Sequence, residues 1–482
     1  MSEIRNLKPE CIWRNFHALT QVPRPSGHLE KIQQFLLDWA KNTGIEAFLD
    51  PAGNIVMRKP ATPGMENRKG VIMQAHMDMV PQKALTSNHN FETDPIETHI
   101  EGDWLYANNT TLGADDGIGV AVILATLEDK TLQHGPLEAL ITSDEETCMY
   151  GVNHLAPDTL TGKILLNIDN EKMGQFVIGS AGGINITASI EYKPAPAEEG
   201  DAAFAITVTG LRGGHSGLEI AANRGNANKL MARLLQAAIA QDEARLADWH
   251  GGNMRNAIPR EARAIVTIPA ENEEDLRDLC AECHRIFNEE LQGVEEGLQI
   301  LIEKTDAPQS LVPEDIQDNL VNAILACHDG VLRYIPTIPG VVETSSNLAI
   351  VAITPESGSV LILARSSNDN YFEYEKTMIE SCFSMAGRKV EYDGAYGSWQ
   401  PRFGSPLVDK MCAIYKDMFH EEADVNVCHA GLECSLIGAV YPEMDMVSFG
   451  PTLESPHPPA ERCLIPTVAP FWQFFRRLIE EL

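Results

Sequence analysis

His76 and Asp78 stand two residues apart at the end of the apolar run Val71-Ile72-Met73, in "VIMQAHMDMV". On an extended strand alternate side chains leave on one face, so an imidazole and a carboxylate share that face. Other stretches end or follow apolar runs with the same residue types. "TTLGADDGIG" sets Asp115 and Asp116 on a glycine-flanked loop before a helix pattern. "TSDEETC" carries Glu145 and Glu146, "NIDNE" carries Asp169, and "SFGPTLESPHPPAE" carries His457. Taken singly, each has a plainer explanation. The aspartate pair could cap the following helix, the glutamates could occupy a solvated turn, and Asp169 could be an ordinary loop residue. A single histidine is more often packed or at the surface than a ligand. Taken together, clustered carboxylates repel one another unless cations compensate. Two histidines with three carboxylates suit a pair of zinc-like ions, one carboxylate bridging them.

Strands and helices must alternate to carry these residues. Ser26 is placed to cap a helix whose apolar positions Leu29, Ile32, Phe35, Leu36 and Trp39 follow the 3.6 period, with Gly44 as its stop. Short β-rich runs follow at "NIVMR", "VIMQAHM", "LEALITS" and "KILLNID", and "DGIGVAVILATLED" reads as a helix packed on the sheet. Nearly continuous apolar strands alternating with helices predict an α/β fold with a mixed, largely parallel, covered sheet. In such sheets, sites form beyond the carboxyl ends of the strands. After the glycine-rich "GSAGGIN" the texture changes, and a β-α-β pattern recurs twice, as expected of an inserted α+β unit of doubled ferredoxin-like kind. From "AYGSWQP" the α/β character returns. The expected organisation is a catalytic domain split into 1–184 and 393–482, with 185–392 as an inserted lid carrying substrate-contact and dimerisation surfaces.

Sixty-nine acidic residues against 37 basic ones give a net charge of −32, a field that repels phosphate backbones and anionic lipid. Nucleic acid and membrane partners are therefore not expected, and no apolar stretch approaches the ~18 residues that span a bilayer. The N-terminal stretch shows no export signal, and the ten cysteines form no dense framework, so a cytoplasmic location is expected. "CAECH" (Cys280 to His284) looks like a haem-attachment string. It lies in a charged amphipathic helix pattern, and the haem reading is rejected.

"QAHMDMV", "TTLGADDGIG", "DEE", "NID" and "SPHP" resemble the signature blocks of the dizinc aminoacylase and carboxypeptidase superfamily. "GLRGGHSG", "GGNMRNAIPREA" and "HAGLECS" narrow the resemblance to its bacterial dipeptidases, over nearly the whole chain. "TSDEE" departs from the "TxTEE" expected of relatives but keeps both glutamates. The resemblance implies that Asp115, rather than Asp116, bridges two metal ions and is followed by a cis peptide bond. His76 and Asp169 would complete one metal site, and Glu146 and His457 the other. Glu145 would be the general base, and Asp78 would orient His76. His215 would stabilise the oxyanion, while Asn256, Arg365 and Gly431 would hold substrate carbonyl or carboxylate, with His429 and Glu433 as weaker candidates. A turn histidine and a surface salt bridge are the plainer readings of His215 and Arg365.

The implied activity is hydrolysis of unblocked dipeptides, Xaa-His and Cys-Gly among them, by metal-activated water. Two divalent ions are implied, zinc foremost, with cobalt or manganese as substitutes, in a homodimer. An N-acyl-amino-acid amidohydrolase would share the metal site and is the principal rival. A non-enzymatic binding protein would have no need of Glu145, and no G-x-S-x-G elbow supports a serine hydrolase.

Overall fold

Strand Val71–His76 is buried along its whole length in the computed structural model, which describes residues 3–482. It lies within an eight-stranded sheet whose order is Glu46–Leu49, Ile55–Lys59, Leu137–Thr142, Val71–His76, Ile164–Asn167, Asp445–Ser448, Gln175–Ser180 and Asp424–Cys428. The four strands from Leu137–Thr142 to Asp445–Ser448 pair in parallel, while antiparallel pairing flanks them. The sheet is thus mixed, with parallel pairing at its centre. Those central strands are buried on both faces, which is why their sequences run apolar without alternation. Helix Ala114–Glu128 is buried on almost every side and packs against strand Val71–His76 and helix Glu10–Thr20. Its apolar character all round follows from that position.

The first of two units contains this sheet: the chain to Gly179, Pro401–Val427 and Leu432–Leu482. Its core includes Met73, Ile123, Leu166, Val447 and the aromatic cluster Phe176, Phe449, Phe471, Phe474 and Phe475. The second unit, Ser180–Gln400 with Cys428–Gly431, is built on an antiparallel sheet. Within it, Ala202–Thr209, Arg245–Gly251, Ala262–Ile268 and Gln299–Thr305 form one βαββαβ module with helices Ala227–Asp242 and Glu273–Glu290. Numbered by chain order, its strands lie 4-1-3-2 across the sheet. The strands Gly182–Glu191, Val342–Ile353, Ser357–Ser366 and Val390–Tyr396 repeat that order, with helices Glu314–Ala326 and Asp369–Met385. The first module is nested in the second, directly after the latter's opening strand. The two join where Arg245–Gly251 pairs with Val342–Ile353. The doubled ferredoxin-like texture is therefore real, and its two copies are concentric rather than consecutive.

Ser26 does not cap the first long helix. That helix runs Glu30–Thr43 with Leu29 at its N-cap, and Gly44 ends it at φ 75° as expected. The Ser26 hydroxyl is used elsewhere, as described below. "CAECH" lies in helix Glu273–Glu290, where Cys280 and Cys283 are buried in the core.

Candidate active site

Four neighbouring parallel strands deliver the candidate residues to one end of the sheet. His76 is the last residue of its strand, Glu145 and Glu146 follow Thr142, Asp169 follows Asn167, and His457 comes in the segment after Ser448. Asp115 enters from the start of helix Ala114–Glu128, where Asp115 and Asp116 have non-helical torsions and are joined by a cis peptide bond.

The adjacent aspartates do different things. Asp116 is buried and accepts from the backbone N–H of Gly119 at 3.1 Å and of His76 at 3.3 Å. It performs the capping that the sequence allowed for either residue. Asp115 turns its two oxygens to different histidines. Oδ1 lies 3.0 Å from Nε2 of His76, and Oδ2 lies 3.6 Å from Nε2 of His457. Asp169 Oδ1 is 3.6 Å from the same nitrogen of His76, and Glu146 Oε2 is 3.0 Å from that of His457.

His76, Asp115 and Glu146 offer ligand atoms within 4.8 Å of one another and could hold a metal ion. Donor atoms around a tetrahedral zinc, each about 2.0–2.1 Å from the metal, stand about 3.3 Å apart. The 3.0–3.6 Å separations on either side of Asp115 bracket that spacing. Imidazole nitrogens with carboxylate oxygens are also the donor chemistry that zinc, cobalt and manganese accept. The residues therefore fit divalent cations.

Asp78 stands behind this group and is fully buried. Its Oδ1 is 3.4 Å from Nδ1 of His76 and accepts from the backbone N–H of Glu145 at 3.1 Å. Its Oδ2 accepts from Ser26 Oγ at 2.8 Å and from the N–H of Glu146 at 3.2 Å. One carboxylate thus braces a histidine and both glutamates.

The electrostatics record how much negative charge converges here. Burial pushes the Glu145 carboxyl well above the usual range, with Glu433, Glu146 and Asp115 adding to the shift against the pull of His76. Burial likewise raises Asp169 and Asp116. For Asp115 burial is outweighed by hydrogen bonds from His457 and His76, which hold it low. Burial also opposes charge on His76, yet Asp169, Asp115 and Asp78 together push it well above its ordinary value. Hydrogen bonds to Asp115 and Glu146 raise His457 to about 10. Protons are standing in for positive charge, which is the condition that bound cations relieve.

Arg24 and Glu461 take part without any local sequence signal. Arg24 is buried and donates to the carbonyls of Met77 at 3.1 Å, Asp78 at 2.9 Å and Gly113. Glu461 is buried against the loop that carries Asp115, and burial with the nearby Asp115 charge raises it to about 7. Glu433, a weaker candidate, accepts from Gln74 Nε2 at 2.6 Å and Thr142 Oγ1 at 2.8 Å behind the strand ends.

The remaining candidates lie in the second unit. His215 pairs with Ala257 in a two-residue ladder, and its Nδ1 accepts from the N–H groups of Gly217 and Leu218, both at 3.1 Å. In the neutral ring the proton therefore sits on Nε2. His215 and Asn256 line a cavity of about 760 Å³ together with Arg212, Arg260 and Arg263. Arg365 is 4% exposed and, among the described residues, forms no salt bridge and leaves its Nε without a hydrogen-bond partner; it donates to Tyr396 Oη at 2.5 Å and Ser216 Oγ at 3.5 Å. His429 is held by Ser345 Oγ at 2.7 Å, and burial with the nearby Arg365 and His215 charges lowers it to about 3. Gly431 belongs to the same short excursion, Cys428–Gly431.

A strand-end cluster of histidines and carboxylates on such a sheet is the arrangement of a metallopeptidase, and the model for Peptidase family M20/M25/M40 matches residues 72–481: the chain belongs to that family. The cytosol non-specific dipeptidase of Escherichia coli K12 is 40% identical over 482 residues, covering 100% of this chain and 99% of the relative. The crystal structure of an aminoacylhistidine dipeptidase from Vibrio alginolyticus matches with a TM-score of 0.91 at 40% identity, over 100% of this chain and 98% of that one. An aminopeptidase from Bacillus cereus shares the fold at a TM-score of 0.57 and 15% identity, over 98% and 99% of the two chains. The family resemblance carried by the sequence motifs is upheld. No helix among the described residues is long and apolar enough to cross a membrane.

Proposed function

We propose that this chain is a cytoplasmic, metal-dependent dipeptidase that hydrolyses unblocked dipeptides, Xaa-His and Cys-Gly among them, as a homodimer. The observation that carries the reading is the division of Asp115 between two histidines, each backed by a further carboxylate. That division suits two divalent ions, zinc by preference, with His76 and Asp169 on one side of Asp115 and Glu146 and His457 on the other. Bound there, the ions would polarise the scissile carbonyl and acidify water near neutral pH.

Glu145 takes the proton from the attacking water on a carboxylate oxygen and returns it to the leaving amine nitrogen. Its neighbour Glu146 faces His457, so adjacent glutamates have separate tasks. Asp78 fixes the ring of His76 and, through the N–H of Glu145, the place of the base. To the second unit we assign the substrate: Nε2–H of His215 for the oxyanion, Asn256 and Gly431 for carbonyl or carboxylate, and Arg365 for the free C-terminus. A buried guanidinium with no carboxylate partner among the described residues supports that last role, because burying such a charge unpaired is costly.

The test is an assay of chelator-stripped protein against unblocked dipeptides and N-acylated amino acids, with zinc restored in steps. Dipeptide cleavage that returns with about two metals per chain is the expected outcome. Cleavage of the acylated compounds alone would move the chain to the amidohydrolase branch. No metal-dependent hydrolysis of either would leave a binding protein.

A further inference from the structure

Buried backbone N–H groups on a loop need acceptors, because an unpaired one costs about as much as a lost hydrogen bond. On the loop ahead of the regular turns of helix Ala114–Glu128, Gly113 has no side chain to offer, and a Cβ there would strike Arg24 and Met79. Asp115 is turned towards the histidines, and Asp116 is occupied by His76 and Gly119. The open N–H groups are met from far along the chain. Oε2 of Glu461 accepts from Leu112 at 2.7 Å and Gly113 at 2.9 Å, and Oε1 accepts from Ala114 at 2.7 Å and Asp115 at 3.2 Å.

Glu461 lies four residues after His457 on the same segment. Outside its contacts with Asp115 and Glu146, the His457 side chain is 55% exposed, and its backbone is left-handed at φ 78°. Glu461, by contrast, is 2% exposed and grips the very loop that presents Asp115. Arg24 completes the fastening, since its guanidinium reaches the Gly113 carbonyl on that loop and the Met77 and Asp78 carbonyls beyond His76.

We propose that Glu461 is a positioning residue: by holding the 112–115 loop from the His457 segment, it sets the placing of His457 against Asp115 and so the metal affinity of that half of the site. The proposal rests on the two-metal reading above. Residue type matters, because a carboxylate offers four acceptor positions and no donor, as four converging N–H groups require. Glutamine has the same shape but would turn an N–H₂ against two of them.

Zinc titrations of metal-stripped wild type, E461Q and E461D, followed by competition with a chromophoric chelator, test this without reference to turnover. In E461Q one of two binding events should weaken about 10–100-fold, the range for lost outer support of a ligand, with the other changed only a few-fold. E461D, which keeps the acceptors on a shorter arm, should recover part of the loss. E461Q placed in an H457A background should weaken zinc binding no further than H457A alone. Circular dichroism and the Tm of the stripped proteins report folding separately. Two unchanged affinities, or two affinities falling together with the stripped Tm, would overturn the role of Glu461. If E461Q does not fold, E461D must still show the split, and its absence there overturns the proposal too. A wild type that binds fewer than two ions would instead sink the two-metal reading.

Discussion

The backbone N–H of Glu145 donates to Oδ1 of Asp78 at 3.1 Å. The candidate base is therefore located by the same buried carboxylate that faces Nδ1 of His76 at 3.4 Å. Loss of that carboxylate should disturb both the metal site and the base. Asp78→Ala is expected to lower zinc affinity or kcat/KM about 10–100-fold. Zinc titration beside steady-state kinetics checks this, and an enzyme unchanged in both would return Asp78 to an ordinary buried hydrogen-bonding role.

Glu145→Gln keeps the shape of the side chain and removes its ability to take a proton. Zinc content should stay at the wild-type value while kcat falls about 10²–10⁴-fold, the usual contribution of a positioned acid–base group. Metal analysis of the same sample that is assayed separates the two effects. Near wild-type turnover would remove Glu145 as the base.

Stripped of metal, the protein should lose thermal stability as pH rises above the ordinary carboxylate range, about 4. Glu145, Asp169 and Asp116 are raised above the ordinary carboxylate range, so the folded chain holds protons that the unfolded chain releases near pH ~4. Their neutral forms favour folding, and that advantage fades as pH climbs through the raised values. His76 acts in the same direction: its raised value gives stability that is present below about pH 6.5 and lost as pH passes the folded value. Asp78 and Asp115, held low, contribute above pH ~4 and weaken the fold only in acid. Zinc should flatten the slope by supplying the missing positive charge. Calorimetry at several pH values, with chelator and with zinc, decides the matter; a stripped Tm that rises across this window would refute it.

Arg365→Met should raise KM for dipeptides about 10–150-fold, corresponding to the roughly 1.5–3 kcal/mol of a hydrogen bond to a charged group. The same dipeptides as C-terminal amides should be little affected, since they present no carboxylate. Equal losses on both substrate series would show that Arg365 only holds the fold around Tyr396 and Ser216.

What could be read in advance was whatever depends on neighbours in sequence. His76 after an apolar run, Asp115 before a buried helix and Glu145 after Thr142 announce strand and helix ends, where α/β sheets collect their polar residues. Ser26 misled because a serine ahead of a 3.6-period pattern looks like a cap, whereas its hydroxyl serves Asp78 across the fold. Arg24 and Glu461 were invisible as partners for the same reason: their contacts join segments far apart in the chain, and no local pattern encodes them. The nested order of the two βαββαβ modules was hidden likewise. Recurring texture shows that a motif repeats, but only the pairing of Gly182–Glu191 with Ser357–Ser366 shows which strands belong together.

The distribution of the site along the chain has a bearing on its birth. His76, Asp115, Glu145 and Asp169 are all synthesised early, whereas His457 and Glu461 come after the whole second unit, about 290 residues beyond Asp169. At about 5–20 residues per second that interval lasts about 15–60 s. A nascent chain on the ribosome thus carries a crowd of buried-to-be carboxylates before His457 and Glu461 exist. The proposed centre is complete only after the second unit has been made, so a chain arrested within that unit would lack His457 and Glu461.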